Sequence, residues 1–397
     1  MIEITDKKKC CGCSACVQIC PHSCISMSED EEGFNYPIVD NDVCVDCHLC
    51  EKVCPVINRY KPKLQPLNCF LAKTKNESVR NNSSSGGIFT ELATHIIQKG
   101  GVVFGVKFTD EWQVEYGFTE SIEGLSAFRG SKYVQASVNS AYIQVKDFLK
   151  QDKLVLFTGT PCFVSGLNHY LRKNYKNLLT MDIVCHSIPS PKIWKQYLCE
   201  LEVDYESKIQ SVTFRDKSNG WTNYSIRVDF NDNKRLVETH DDNIYMKGFL
   251  QDIFTRPSCS ECPARNYTSG SDITIADAWQ IDKYHPEKND EKGISHILVN
   301  TEKGKRIIDE IKRVIDIDAI DYSEVEPFAV HLPLTKSSKP HHYRKVFFEA
   351  LSEASTVANA ISQCFLKNDQ HMKREASLKS NILFKVMYKF YKAIKFS

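Results

Sequence analysis

The chain has 397 residues, with 51 basic against 50 acidic side chains, a formal net charge of +1, and 42% hydrophobic residues. This composition excludes a disordered, collagenous or strongly polyionic chain, and the near-zero charge supplies no whole-molecule field to gather nucleic acid, so no nucleic-acid partner is expected. Cysteine departs from the ordinary: 10 of the 17 fall within the first 54 residues. The opening MIEITDKKK runs into cysteines where a secretory leader needs an apolar stretch, and no window approaches a membrane span. The expectation is a cytoplasmic protein whose reduced thiols serve metal.

In chain order, residues 1–66 form a short, cysteine-dense domain and its linker; Pro62 and Pro66 favour an extended connection. Residues 67–345 alternate strand-length and helix-period segments, predicting a mixed α/β domain with room for a sub-boundary near residue 150. Within it, Ile88, Leu92, Ala93, Ile96 and Ile97 share one helical face after Ser83-Ser-Ser-Gly-Gly87, and Gly100-Gly101 end that helix before a strand at Val102-Val-Phe-Gly-Val106. Leu154-Val-Leu-Phe157 reads as a buried strand and Thr158-Gly-Thr-Pro161 as a turn. Cys162 to Arg172 reads as the following helix, and Leu178 to Val184 as the next strand. Residues 346–397 form a basic helical tail. Seven basic residues against one acidic in 371–397 alternate with apolar ones at helical spacing; this suits an amphipathic helix packed on the main domain, with an anionic membrane surface or an acidic partner as the alternatives.

Two runs carry the first chemistry. Cys10-x2-Cys13-x2-Cys16-x3-Cys20-Pro21 recurs with identical spacing as Cys44-x2-Cys47-x2-Cys50-x3-Cys54-Pro55. Cubane clusters need four thiolates converging from a tight loop, and in two-cluster ferredoxins the fourth cysteine of each run ligates the other cluster. One 4Fe-4S cluster is therefore expected on Cys10, Cys13, Cys16 and Cys54, and the other on Cys44, Cys47, Cys50 and Cys20. Zinc, the alternative, prefers paired CxxC motifs split by a longer loop. Cys11, Cys24 and Cys69 are expected to be non-ligand thiols and His48 a solvated spacer. The segment 1–57 resembles the bacterial two-cluster ferredoxins, which implies electron transfer.

Cys162, Cys185 and the pair Cys259-x2-Cys262 form a second set, two of them at carboxyl ends of expected parallel strands, where α/β sheets build their sites. Spacing alone leaves a metal site, zinc, or free buried thiols open.

At these residues a second resemblance enters. Ser84-Ser-Gly-Gly87, Gly130-Ser-Lys-Tyr-Val134, Gly159-Thr-Pro-Cys162, Cys185-His186, Phe214-Arg215 with Gly220-Trp221, Cys259-x2-Cys262, Asp272-Ile-Thr-Ile-Ala-Asp277 with Trp279, and Gly293-Ile-Ser295 occur in order. Over about 68–345 the chain resembles the beta subunits of coenzyme F420 hydrogenases and dehydrogenases. The resemblance implies an α+β ferredoxin-like domain followed by a larger mixed α/β flavoprotein domain, with FAD and a third 4Fe-4S cluster on Cys162, Cys185, Cys259 and Cys262. It further implies an FAD-dependent oxidoreductase working between a ferredoxin-like carrier and a small organic hydride donor or acceptor. The alternative is a relay subunit docked to a catalytic partner subunit. Ser83, Ser84, Ser85, Gly86 and Gly87 at a helix start, with Thr158, Gly159 and Thr160, are the expected flavin contacts; a capped loop is the bland alternative. Lys132 is expected beside the flavin or its phosphates, and His186 as a proton donor. Ala276 and Ala278 stand where the family often has glycine and an aromatic.

Overall fold

The computed structural model describes residues 1–62, 65–325, 338–352 and 355–366. They separate into two compact units, Met1–Pro340 and His341–Ser397.

In the first unit each cysteine run of the cysteine-rich segment turns into a short helix, with one hairpin between the two. Helix α1 (Ala15–Ile19) is followed by the hairpin β1 (Ile25–Glu29) and β2 (Asn35–Val39), then by α2 (Leu49–Lys52). Ser14 and His48 precede the two short helices in the same left-handed conformation, with φ of 57° and 58°. Identical cysteine spacing thus produces identical backbone turns. His48 is exposed and pairs with Glu51 at 2.9 Å.

The larger part is built on an eight-stranded mixed sheet. Its elements are β3 (Asn68–Thr74), α3 (Glu77–Asn81), α4 (Ile88–Gln98), β4 (Val102–Phe108), β5 (Val114–Thr119), α5 (Ala141–Lys150), β6 (Val155–Gly159), α6 (Pro161–Leu171), β7 (Leu178–Ile183) and α7 (Pro191–Asp204). A three-stranded antiparallel sheet follows, β8 (Ile209–Asp216), β9 (Ser225–Phe230) and β10 (Arg235–Thr239). The chain then runs through α8 (Ile244–Leu250), β11 (Ile273–Asp277), α9 (Ile281–Tyr284), β12 (Ser295–Val299), α10 (Glu302–Ile311) and β13 (Ile315–Ile320). The large sheet is ordered β13-β3-β12-β11-β7-β6-β4-β5; its centre, β11-β7-β6-β4, is parallel, and both margins are antiparallel.

Burial explains the order. Val155, Leu156 and Phe157 are wholly buried, as strands covered on both faces require. Ile88, Leu92, Ala93 and Ile96 of α4 join Ile307, Ile308 and Ile311 of α10 and inward residues of the sheet in one core. The strand expected at Leu154–Phe157 extends through Gly159, because Thr158 and Gly159 stay in parallel register with Met181 and Asp182. Pro161 is already the first residue of α6, so the turn shortens to Thr160.

The cysteine-rich segment is packed on this larger part. Lys9 pairs with Glu261, Ser190 Oγ donates to Glu32 O (2.6 Å), Gln18 Oε1 accepts from Tyr142 N (3.0 Å), and Gly166 of α6 lies against Cys13 with no room for a Cβ. In the second unit, α11 (Arg344–Ser352) buries Phe347 and Ala350, and Cys364 Sγ donates to Tyr343 O at 3.6 Å. The basic stretch 371–397 lies outside the described residues. Among the described residues no helix is long and apolar enough to cross a membrane.

Candidate functional site

Two thiol groups form within the cysteine-rich segment. Cys16 interacts electrostatically with Cys10 and Cys54, and Cys13 with Cys16 and Cys54. Cys20, Cys44, Cys47 and Cys50 line a separate small cavity of about 20 Å³, with Cys24 as a fifth thiol 3.3 Å from Cys20 Sγ. The fourth cysteine of each run therefore stands with the first three of the other. Cys16 and Cys50 link the groups electrostatically.

A third group forms in the larger part. Cys162 follows β6, Cys185 follows β7, and Cys259 and Cys262 sit on a tight turn at Pro257–Glu261. Every pair among these four interacts electrostatically. Burial, then mutual charge, pushes Cys185, Cys259 and Cys262 above the usual thiol range; for Cys162 the leading cause is a hydrogen bond with Cys11. Four thiols so near one another disfavour one another's ionised form, which is the direction of each shift; the described side chains alone do not converge as a preformed metal site. Cys11 interacts with both Cys13 and Cys162, which raise and lower its thiol respectively, so one thiol stands in the electrostatic reach of the first and third groups, which its sequence position did not disclose.

Beside the third group a cavity of about 270 Å³ opens at the carboxyl ends of β4, β6, β7 and β11. It is lined by Ser83, Ser84, Ser85, Gly87, Lys132, Thr158, Gly159, Thr160 and His186, and also by Cys185. Gly86 does not line it: its N–H donates to Ser295 Oγ (3.0 Å), and a Cβ there would meet Ala72 O at 2.4 Å, so this glycine serves the close approach of β3.

Several lining groups are already engaged. Ser84 Oγ accepts from Ser131 N (2.8 Å), Ser85 Oγ donates to Ile294 O (2.7 Å), and Thr158 Oγ1 donates to Phe104 O (2.9 Å). Thr160 Oγ1 lies 3.4 Å from Cys162 Sγ. His186 stands in the wall with Nε2 3.3 Å from Asp252 Oδ1, unaligned for a hydrogen bond, and its ring edge-on to Phe249. Lys132 Nζ donates to Arg129 O (3.0 Å) and lies 5.6 Å over the Phe108 ring; burial pulls its ammonium down to about 7. With no carboxylate paired to it among the described residues, Lys132 favours an anion in the cavity.

The serine-glycine loop is held from behind. Arg215, buried and paired with Asp277 at 3.1 Å, donates to Ser84 O (3.2 Å) and lies over the Tyr224 and Trp279 rings. Arg80 forks onto Asp290 (2.6 Å for each N–H) and donates to Gly293 O, bringing the 290–295 loop against Ser85. Despite burial, which raises it, Arg80 holds the Asp290 carboxyl down at about 2. The Phe214-Arg215, Asp277 and Gly293 motifs thus brace the cavity. Ala276 lines it, and Ala278 is buried with Leu71, Trp221, Ile281 and Ile294, where an aromatic has no space.

Tyr116, which the sequence did not single out, closes the wall near Cys162. Its ring stacks on Phe157 (5.0 Å, 5°), and its buried hydroxyl has no hydrogen-bond partner among the described residues. An orphaned hydroxyl opening on a cavity is a ready contact for a bound polar group.

Residues 69–143 match the model for the coenzyme F420 hydrogenase/dehydrogenase beta subunit N-terminal domain, and residues 152–324 the model for its C terminus. Residues 9–58 match the 4Fe-4S dicluster domain. No curated protein matches the chain. Among solved structures, a chain of the F420-reducing [NiFe] hydrogenase complex from Methanosarcina barkeri, studied with xenon, is similar at 15% identity and a TM-score of 0.45. The match covers 65% of this chain and 85% of that one.

Proposed function

Since the chain belongs to the coenzyme F420 hydrogenase/dehydrogenase beta-subunit family and carries a 4Fe-4S dicluster domain, we propose that it is an FAD-dependent iron-sulfur oxidoreductase subunit. In this reading it passes electrons between a ferredoxin-like carrier or catalytic partner subunit and a small organic hydride donor or acceptor. The observation that carries the reading is continuity: Cys185 belongs both to the wall of the 270 Å³ cavity and to the four-thiol group, and Cys11 joins that group to the first ferredoxin thiols.

In this reading Cys10, Cys13, Cys16 and Cys54 hold one cluster, Cys44, Cys47, Cys50 and Cys20 the second, and Cys162, Cys185, Cys259 and Cys262 a third. FAD occupies the cavity. Clusters carry single electrons and flavin exchanges one or two, so the pair converts between the two currencies. The protein's part is placement. Lys132 meets flavin phosphate or the charge on the reduced ring; Gly87, Gly159 and Thr160 line the cavity wall; Ser84 and Ser85 hold the loop's shape. His186 supplies a proton-bearing ring next to the ligand Cys185, and Tyr116 offers its hydroxyl.

The test is iron, acid-labile sulfide, zinc and flavin per chain on anaerobically purified protein, with the visible spectrum before and after dithionite. About twelve irons and one FAD per chain are expected. About eight irons without flavin would reduce the protein to a ferredoxin fused to a binding module.

A further inference from the structure

Arg256 is 1% exposed, and among the described residues no carboxylate pairs with it. Its guanidinium reaches out of the larger part into the cysteine-rich segment. Nε donates to Cys10 O (2.8 Å), one terminal N–H to Asn35 O (2.9 Å) and, at 3.6 Å, to Cys10 Sγ; the other donates to Gln135 Oε1 (3.0 Å). The rings of Tyr36 and Phe34 lie 4.4 and 5.4 Å from its centre. Its backbone belongs to the third thiol group: Arg256 O accepts from Cys259 N at 3.0 Å. One residue therefore holds a sulfur of the first group by its side chain and a cysteine of the third by its main chain.

A permanently charged guanidinium taken out of water is strongly disfavoured unless an anion offsets it. Neutral carbonyls and rings offset only part of that. The remaining partner is the sulfur of Cys10, and a cubane bound by four thiolates is net negative, more so after reduction.

We propose that Arg256 is the counter-ion of the ferredoxin cluster ligated by Cys10, and that it raises that cluster's reduction potential while fixing it against the thiols of Cys162, Cys185, Cys259 and Cys262. The sign follows from charge. Reduction adds one electron to the cluster, and a fixed cation with an N–H on a ligand sulfur stabilises the more negative state. The cluster nearest the larger part then holds electrons more firmly than the outer one on Cys44, Cys47, Cys50 and Cys20, which has no such cation on its sulfurs among the described residues. The inference rests on the two-cluster reading of residues 9–58 and requires neither the flavin nor the third cluster.

The experiment is a redox titration of the full-length, anaerobically purified protein followed by electron paramagnetic resonance, comparing the parent with Arg256→Gln and Arg256→Lys, each counted for iron and sulfide. In iron-replete Arg256→Gln one cluster shifts to a more negative potential while the others stay. Arg256→Lys, which keeps the charge but loses the fork, shifts in the same direction by less. An iron-replete Arg256→Gln protein that titrates as the parent overturns the proposal. If the glutamine variant fails to retain iron, the parent grown with isotopically labelled arginine decides the matter. Among the described residues Arg256 is the one arginine that hydrogen-bonds a cysteine sulfur, so pulsed resonance of the reduced protein must reveal a labelled-nitrogen coupling, and its absence overturns the proposal. A parent without iron indicts the two-cluster reading instead.

Discussion

Gly159 ends β6 at the cavity wall, and a Cβ placed there would stand 1.9 Å from Tyr116 Oη and 3.2 Å from its Cζ. The tyrosine cannot easily retreat: its ring is stacked on Phe157, is set against Phe163, and is 5% exposed. Gly159→Ala therefore behaves as an overpacking substitution and costs about 1–3 kcal/mol. With an unfolding entropy of about 2.1 cal/mol/K per residue over the 340 residues of the first unit, that lowers Tm by about 1.5–4 °C. Tyr116→Phe alone costs little, because the deleted hydroxyl has no hydrogen-bond partner among the described residues. The double variant removes the 1.9 Å collision and leaves only the tighter ring contact, so most of the loss is recovered. Thermal melts of parent, both single variants and the double variant complete the cycle, run anaerobically at one scan rate because metalloprotein unfolding is seldom reversible. A double variant no more stable than Gly159→Ala refutes the reasoning, since the collision would then not be the cause.

Three further outcomes are expected. Cys162→Ser lowers iron by about four atoms per chain, with sulfide in step, and blocks flavin reduction by reduced carrier; unchanged iron and unchanged flavin reduction rule out the third cluster. Because burial holds Lys132 at about 7, its charge is present below that pH and lost above it. FAD binding, followed by flavin fluorescence, should weaken as pH rises through 7 in the parent and show a flatter profile in Lys132→Met; a flat parent profile removes the lysine from the phosphates. Asp290 sits below its ordinary value on account of Arg80, so its stabilisation is complete above about pH 4 and is lost as pH falls towards 2. Asp290→Ala strands the buried Arg80 and should cost about 2 kcal/mol, below the usual range for a buried pair because Asp290 is partly open to solvent. Denaturant melts at pH 7 and pH 3 check both statements, and a variant whose deficit is equal at the two pH values contradicts the linkage.

Local signals in this chain were legible because the backbone obeys them locally. The doubled cysteine spacing becomes two equivalent turns at Ser14 and His48, and the apolar period of Ile88, Leu92, Ala93 and Ile96 becomes the buried face of α4. The serine-glycine loop, Lys132, Thr158 to Thr160 and His186 were all marked by residue type, and parallel register at the carboxyl ends of the strands brings them, Gly86 apart, to one cavity. Which partners those groups use was not legible. Hydrogen bonds from Ser85 to Ile294, from Gly86 to Ser295 and from Arg215 to Ser84 join residues more than a hundred positions apart.

The tertiary structure alone decided the surroundings of Cys11, Tyr116 and Arg256. As sequence, Cys11 is a spare thiol in a ferredoxin run and Arg256 one of many basic residues. Packing the segment against α6 and the Pro257–Glu261 turn brings Cys11 within the electrostatic reach of both Cys13 and Cys162 and drives the Arg256 guanidinium, with no carboxylate partner among the described residues, onto the sulfur of Cys10. Periodicity and spacing record which face a residue turns and which neighbours its own loop supplies; burial of a charge and the meeting of thiols from distant strands depend on how the parts dock, which no local pattern encodes.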